Sequence, residues 1–260
     1  MNRAGRAAGA VAAACLLILS SACTTTRPVT PAAALAGYLP APANISAGPA
    51  PGEPSSADRQ QSLALSGLAD TDRWFMATAH AELSPTLAVQ HFDCRLGTRI
   101  EAVPTPALDR LMTRLATDVM ARITALRRAE GRAGPVAMDP ARRSCVRLSA
   151  SRRAQSSWPS GAAALGVAYG EALALLAPDR ADAVRGMGAA IGDSAAICGL
   201  AWPSDVAAGA EVGRTVFAQA AATPDFIADA QAARAEIAAA RASGLTNPGC
   251  AAERRALGLS

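Results

Sequence analysis

Residues 158–166 read WPSGAAALG, and residues 192–209 read GDSAAICGLAWPSDVAAG. In each stretch a short polar turn precedes a run of small residues. Ser160 stands where a side-chain oxygen commonly caps the first turn of a helix, and Ser204-Asp205 stand in the corresponding place further along. The two stretches therefore predict neighbouring helices that begin at polar turns, with a third helical run between them.

The remainder of the chain after Ser56 is also helical in pattern. Between Pro106 and about Glu130, apolar residues recur at steps of three and four, with arginines on the opposite face. The other predicted helices are Ser56 to Ser66, Asp70 to Ala81 with Trp74 and Phe75 facing a core, one starting at Ser84-Pro85, Ser160 to Leu176, Asp182 to about Cys198, Ser204-Asp205 to Ala220, and Pro224 to Ser243. Gly186, Gly188 and Gly192 are expected to permit close helix contacts. No useful strand alternation occurs, so the sequence predicts an all-α fold, a single helical bundle.

Residues 1–22 have the pattern of an export signal. Arg3 and Arg6 precede an apolar run from Ala7 to Leu19, which is too short to span a bilayer. The following LSSAC resembles a bacterial lipobox, which predicts lipidation at Cys23 and membrane attachment through acyl chains. Ordinary cleavage after Ala22, giving a soluble periplasmic protein, is the alternative.

Composition divides the exported part into three segments. Residues 23–56, rich in Pro, Ala, Gly, Ser and Thr, are predicted to form a tether and an N-terminal wrap. Residues 57–245 are predicted to form the helical domain, and residues 246–260 a C-terminal tail.

Four cysteines remain beyond the signal and Cys23. Cys94, Cys145, Cys198 and Cys250 suit two disulfides in an oxidising compartment, with three possible pairings. They are far apart and have no neighbouring histidine, so no metal or other cofactor is expected. His80 and His91 lie well before the polar turns; we interpret them as surface or cap residues, and a mechanistic role is the alternative.

The formal net charge is +4, and all 25 basic residues are arginines. They are scattered instead of forming a basic stripe interleaved with aromatic residues, so we expect no nucleic-acid binding.

The spacing of residues 127–205 resembles the class A bacterial non-specific acid phosphatases of the phosphatidic acid phosphatase type 2 and vanadium haloperoxidase superfamily. That family has K-x6-R-P, then P-S-G-H, then S-R-x5-H-x3-D. This chain has Arg127, six residues and Gly134-Pro135; then Pro159-Ser160-Gly161-Ala162; then Ser194-Ala195, five residues, Ala201, three residues and Asp205. The resemblance covers roughly Gly37 to Ile237 and implies the helical fold of that superfamily.

The resemblance also implies that most reactive groups are missing. In the family a histidine attacks phosphorus, a second protonates the leaving oxygen, and cations with backbone N–H groups hold the phosphate. By position, Ala201 replaces the nucleophile, Ala162 the leaving-group acid and Ala195 one phosphate arginine. Gly134 replaces the other phosphate-binding arginine.

Some positions keep groups able to bind phosphate. Arg127 matches the family lysine and is expected either to grip phosphate or to be a solvated arginine beside Arg128 and Arg132. Ser160 and Gly161 keep the backbone N–H donors. The same residues also suit a helix N-cap and a close approach of neighbouring backbone.

Asp205 matches the carboxylate that orients the missing histidine. With no imidazole to orient, it is expected to repel phosphate, and to have a raised pKa or face solvent unless an arginine pairs with it. A role as a helix N-cap is equally consistent. Ser160, Ser194 and Ser204 offer hydroxyls, but no candidate base lies beside them in sequence.

Three functions remain open. The first is an exported acid-phosphatase-like protein that has lost catalysis and binds a small phosphorylated or apolar ligand, or an envelope partner. The second is an active phosphomonoesterase with a non-family site that recruits His80 or His91. The third is a structural lipoprotein with a vestigial pocket.

Overall fold

The computed structural model describes residues 35–40, 48 and 52–259. Within these segments the regular elements are helical, and the β-type pairing is an isolated bridge between Ala133 and Ser156. The α-helices are α1 Ser56–Ser66, α2 Asp72–Ala79, α3 Pro85–Ala88, α4 Asp93–Leu96, α5 Pro106–Ala129, α6 Pro135–Met138, α7 Ala150–Arg153, α8 Gly161–Leu176, α9 Ala181–Ile197, α10 Pro203–Ala221, α11 Pro224–Ala242 and α12 Cys250–Ala256. Short 3₁₀ turns cover Val89–Phe92, Ile100–Ala102 and Pro178–Arg180. The predicted all-α fold is confirmed.

The long helices begin and end close to their predicted bounds. α5 and α8 start at the predicted prolyl and seryl turns, because Pro106 fits the first helical turn and the Ser160 hydroxyl accepts from the backbone N–H of Ala163. The helix predicted from Ser84-Pro85 lasts only one turn, to Ala88. The segment predicted as a tail contains α12, which the sequence reading missed.

α8 is the central helix of this bundle and packs against α9, α10 and α5. Glycine makes two of these contacts possible. A Cβ at Gly188 on α9 would lie 2.4 Å from the carbonyl oxygen of Gly166, and one at Gly213 on α10 would lie 2.3 Å from that of Ala164. The helix backbones therefore approach more closely than alanine would allow, which brings the ends of α8, α9 and α10 together.

Two details of the predicted packing are wrong. Trp74 is buried as expected, but Phe75 is 60% exposed. Adjacent residues on a helix point about 100° apart, so a single narrow face cannot bury both. Gly186 has open space around its Cβ position and makes no close helix contact, whereas Gly188 and Gly192 do.

Residues 35–40 lie against α5 and α11 without forming regular structure. The backbone N–H of Tyr38 donates to Asp118 on α5 at 2.8 Å, and its hydroxyl donates to Asp229 on α11 at 2.8 Å. These two bonds fix the chain across the two helices.

None of the helices among the described residues combines the length and the apolar character needed to cross a bilayer.

Candidate functional site

A cavity of about 340 Å³ opens among the ends of α5, α8 and α9. It brings together side chains that are far apart in sequence. The predicted positions lining it are Arg127, Gly134, Ser160, Gly161, Ala162, Ala195 and Ala201. The spacing of the sequence motifs therefore corresponds to one place in the structure.

Three of these positions contribute only methyl groups. Ala195 is 6% exposed near the end of α9, and Ala201 is 2% exposed in the turn before α10. Ala162 is the second residue of α8 and is half-buried. An alanine has no atom that can attack phosphorus, protonate a leaving oxygen or neutralise an anion.

The N-terminus of α8 forms the polar wall of the cavity. Among the residues that the structure describes, no protein acceptor takes a hydrogen bond from the backbone N–H of Gly161 or Ala162. The backbone N–H of Ser160 instead donates to the carbonyl of Asp205 at 3.0 Å. Two free amides at the positive end of a helix are suited to an anion.

Arg127 is held against this wall. Its Nη2 and Nε atoms donate to the carbonyl of Pro159 at 2.9 and 3.2 Å. Burial lowers its pKa, although the guanidinium remains the charged form at any ordinary pH. The half-buried side chain is thus a fixed cation of the cavity, and the interpretation as a solvated arginine is wrong.

Two further arginines, Arg152 and Arg153 on α7, line the cavity and were missed by the sequence reading. Arg153 donates to the carbonyl of Val136 at 2.8 Å, while Arg152 is exposed. No carboxylate side chain is found among the described residues that line the cavity. The charged side chains that line the cavity are therefore positive, and Asp205, which was expected to repel phosphate, is not among the lining residues.

Asp205 is fully buried outside the cavity lining, in the first turn of α10. Its Oδ1 accepts from Arg132 at 2.9 Å, and its Oδ2 accepts from the backbone N–H of Trp202 at 2.8 Å. Burial raises its pKa, and the bonds from Trp202 and Arg132 oppose that effect. Asp205 is thus paired with an arginine, as the sequence reading allowed, and it caps the helix from its third position; the N-cap is Trp202.

Arg132 is buried, at 8% exposure. Besides Asp205 it lies 3.8 Å from a carboxylate oxygen of Asp58. The Arg132 guanidinium is paired with these two carboxylates and does not line the cavity.

Gly134 is closely packed, so a larger residue would require its neighbours to shift. A Cβ there would lie 3.0 Å from the Cβ of Ser157 and 3.1 Å from the carbonyl oxygen of Leu200. The position resembling a family arginine is thus tightly packed against its neighbours.

His80 is the C-cap residue of α2, as one interpretation had it, but it lines the same cavity and is not a surface residue. Its backbone ends α2, but its ring is buried, and Nδ1 lies 2.9 Å from the hydroxyl of Ser194. His91 contacts the His80 ring, with centroids 5.0 Å apart, and its Nε2 lies 2.9 Å from the carbonyl of Glu82. The two histidines share one cluster, which sequence spacing gave no means to detect.

The disulfides pair Cys94 with Cys250 and Cys145 with Cys198, which selects one of the three possible pairings. Cys198 also lines the cavity. The predicted lipid anchor, Cys23, lies outside the described residues. No cluster of three or more potential metal ligands occurs in the part of the chain that the structure describes.

The chain is similar to a known protein over most of its length. The chain is 28% identical over 200 residues to an acid phosphatase of Zymomonas mobilis subsp. mobilis, covering 76% of this chain and 75% of that protein. No protein-family model matches the chain. The similarity extends over most of the helical domain and makes an acid phosphatase family plausible.

Proposed function

We propose that this chain is an exported acid-phosphatase-like protein that binds an anionic ligand in the α8 cavity and has lost the phosphomonoesterase reaction of its relatives. The observation that carries the proposal is that three alanines, Ala162, Ala195 and Ala201, line the cavity. Nucleophile, leaving-group acid and one cation are each replaced by a methyl group. Losing one member of such a unit commonly costs about 10⁴-fold in rate, and here several are absent.

Anion binding is supported by what the cavity retains. The free amides of Gly161 and Ala162 and the fixed guanidinium of Arg127 line one wall. Asp205, which would repel an anion, is paired with Arg132 outside the lining. A small phosphorylated compound is the ligand class that this combination favours.

The test compares binding with turnover. Purified protein is mixed with p-nitrophenyl phosphate, with the Zymomonas acid phosphatase as the positive control. We expect no turnover above background, together with a rise in melting temperature when phosphate or vanadate is added. Arg127→Gln should remove most of that rise. Vanadate-sensitive hydrolysis by the unmodified chain would contradict the proposal.

A second candidate is an active phosphatase with a non-family site. It is favoured by one observation, the presence of the His80 imidazole in the same cavity as Arg127 and the free amides. Hydrolysis of p-nitrophenyl phosphate that disappears in His80→Asn would select this candidate. Hydrolysis that survives the substitution would exclude His80 as its nucleophile.

We also propose lipid attachment at Cys23 to the periplasmic face of a membrane. The LSSAC pattern supports it, and two disulfides suit an oxidising compartment. Expression of the chain with labelled palmitate in a bacterial host is expected to label the unmodified protein and not Cys23→Ser. Equal absence of label in both proteins would favour the soluble periplasmic alternative.

A further inference from the structure

Ser194 and His80 form a hydrogen-bonded pair that the sequence did not indicate. The hydroxyl of Ser194, on the penultimate turn of α9, lies 2.9 Å from Nδ1 of His80, which follows α2. Both residues line the cavity. A serine hydroxyl in contact with an imidazole is the arrangement in which a histidine can remove the hydroxyl proton and make the oxygen nucleophilic.

Arg73 adds a cation to this pair. Its Nη1 donates to the same Ser194 oxygen at 2.9 Å, and its Nη2 donates to the carbonyl of Ala190 at 3.0 Å. A fixed guanidinium at this oxygen stabilises the negative charge that develops as the hydroxyl loses its proton. Ser194 therefore has both a base and a charge-stabilising group within hydrogen-bond distance.

The imidazole of His80 is neutral near neutral pH. Burial, and then the neighbouring His91 and Arg73, lower the pKa of His80 to about 3. The Ser194 hydroxyl has two acceptors in range, the Ala190 carbonyl at 2.8 Å and the imidazole. With the ring proton on Nε2, Nδ1 is the acceptor. Because so weak a base accepts a proton reluctantly, turnover through this pair should be slow.

The surroundings of the pair favour an uncharged reactant. Ile191 and Ala195, which lie beside Ser194 on α9, are buried cavity residues, as is Ala77, one turn before His80. These apolar side chains would desolvate a phosphate dianion at a cost but would pack against a short acyl chain.

We propose that Ser194 and His80 form a second reactive centre, in which Ser194 takes the acyl group from a short-chain carboxylic ester. The Ser194 oxygen attacks the carbonyl carbon, and its proton passes to Nδ1 of His80. The tetrahedral intermediate collapses, the ester C–O bond breaks, and the departing alkoxide takes the proton from His80. Water then attacks the acyl-serine, its proton passes through His80 back to the Ser194 oxygen, and a carboxylic acid leaves. The free amides of Gly161 and Ala162 are the donors available in the same cavity for the carbonyl oxygen.

The experiment uses the purified, disulfide-bonded chain with p-nitrophenyl butyrate and, separately, with a fluorophosphonate that phosphonylates nucleophilic serines by displacing fluoride. We expect slow ester hydrolysis and a single phosphonylated peptide containing Ser194. Ser194→Ala and His80→Asn should each lower ester hydrolysis by about 100-fold or more. The asparagine amide replaces Nδ1 and keeps a hydrogen bond to Ser194, so it separates proton transfer from a merely structural contact.

The matched control is Ser156→Ala, because Ser156 lines the same cavity but its hydroxyl donates to the Trp158 carbonyl at 3.0 Å. This variant should hydrolyse the ester at the rate of the unmodified chain. The melting temperature of each variant is measured to check that it is folded. Absence of ester hydrolysis in the unmodified chain, labelling at another residue, or an unchanged rate in Ser194→Ala would each overturn the proposal. Phosphate binding at Arg127 is tested with different ligands, so failure of that proposal can be distinguished from failure of this one.

Discussion

At the scale of single residues, Asp205 and Arg132 form an ion pair inside the protein. Asp205 is fully buried and Arg132 is 8% exposed, and the shortest distance between them is 2.7 Å. Removing one partner leaves the other charge buried without compensation, which is much more costly than never having buried the pair.

We therefore predict that Asp205→Ala lowers the free energy of unfolding by about 3–5 kcal/mol. The measurement is urea unfolding followed by circular dichroism. Glu211→Ala, also on α10, is the matched control, because the Glu211–Arg214 pair is exposed and its loss should give little measurable change. A similar small effect at Asp205 would mean that Arg132 finds another partner in the variant.

A second residue-scale prediction concerns repair of the cavity wall. The combined substitutions Ala162→His, Ala195→Arg and Ala201→His should raise p-nitrophenyl phosphate hydrolysis at least about 10²-fold over the unmodified chain. Gly134 is left unchanged, since a side chain there would meet Ser157 and the Leu200 carbonyl. Ala162→His alone serves as the control and should gain nothing, because it supplies no nucleophile. A folded but inactive triple variant would show that the backbone no longer places these positions for the reaction.

The limits of sequence reasoning are also clearest at this scale. Motif spacing placed Ala162, Ala195 and Ala201 correctly as neighbours of Arg127, because each sits at a helix end whose position in the chain is recognisable. It did not find the contact between His80 and Ser194, which are 114 residues apart. Such a contact depends on how α2 docks on α9, which local pattern does not encode.

At the scale of elements, the helices with long apolar repeats were predicted to within about two residues at each end. Short elements such as α6, α7 and α12 were missed, because four to seven residues are too few to show a helical period. Close packing of the long helices depends on small residues at particular turns. Pattern alone could not separate the glycines that permit contact from those that face solvent.

This distinction gives a paired prediction on α9. Gly188→Ala should lower the free energy of unfolding by about 2–3 kcal/mol, because the new methyl group would meet the Gly166 carbonyl oxygen at 2.4 Å. Gly186→Ala, at an exposed position with open space, should instead raise it by about 0.5–1 kcal/mol. Thermal and urea unfolding of the two variants provide the measurement. Equal effects of the two substitutions would contradict the close α8–α9 contact.

At the scale of the whole molecule, the disulfides join parts that are distant in sequence. Cys94 and Cys250 are separated by 156 residues and Cys145 and Cys198 by 53. The even number of cysteines predicted two bonds, but the choice among three pairings requires the folded arrangement. The pairing also holds the segment that was predicted as a tail against the domain: α12 carries Cys250 and Glu253, and Glu253 lies 2.9 Å from Arg95.

Replacing either cystine by two serines should lower the free energy of unfolding by about 2–5 kcal/mol, because each bond restricts the unfolded chain. The longer loop closed by Cys94 and Cys250 should give the larger loss. Urea unfolding of the two double variants checks both statements. If neither double variant loses free energy of unfolding, the prediction that the disulfides stabilise the folded protein is wrong.

The Cys94–Cys250 link has a practical consequence for limited proteolysis. Residues 243–246, between α11 and α12, are exposed. A protease that cuts there breaks the backbone, but the disulfide still joins α12 to the rest of the chain. The excised peptide would still migrate with the rest of the protein during electrophoresis without a thiol. Added dithiothreitol would release it, and the same digest would then show a shortened band.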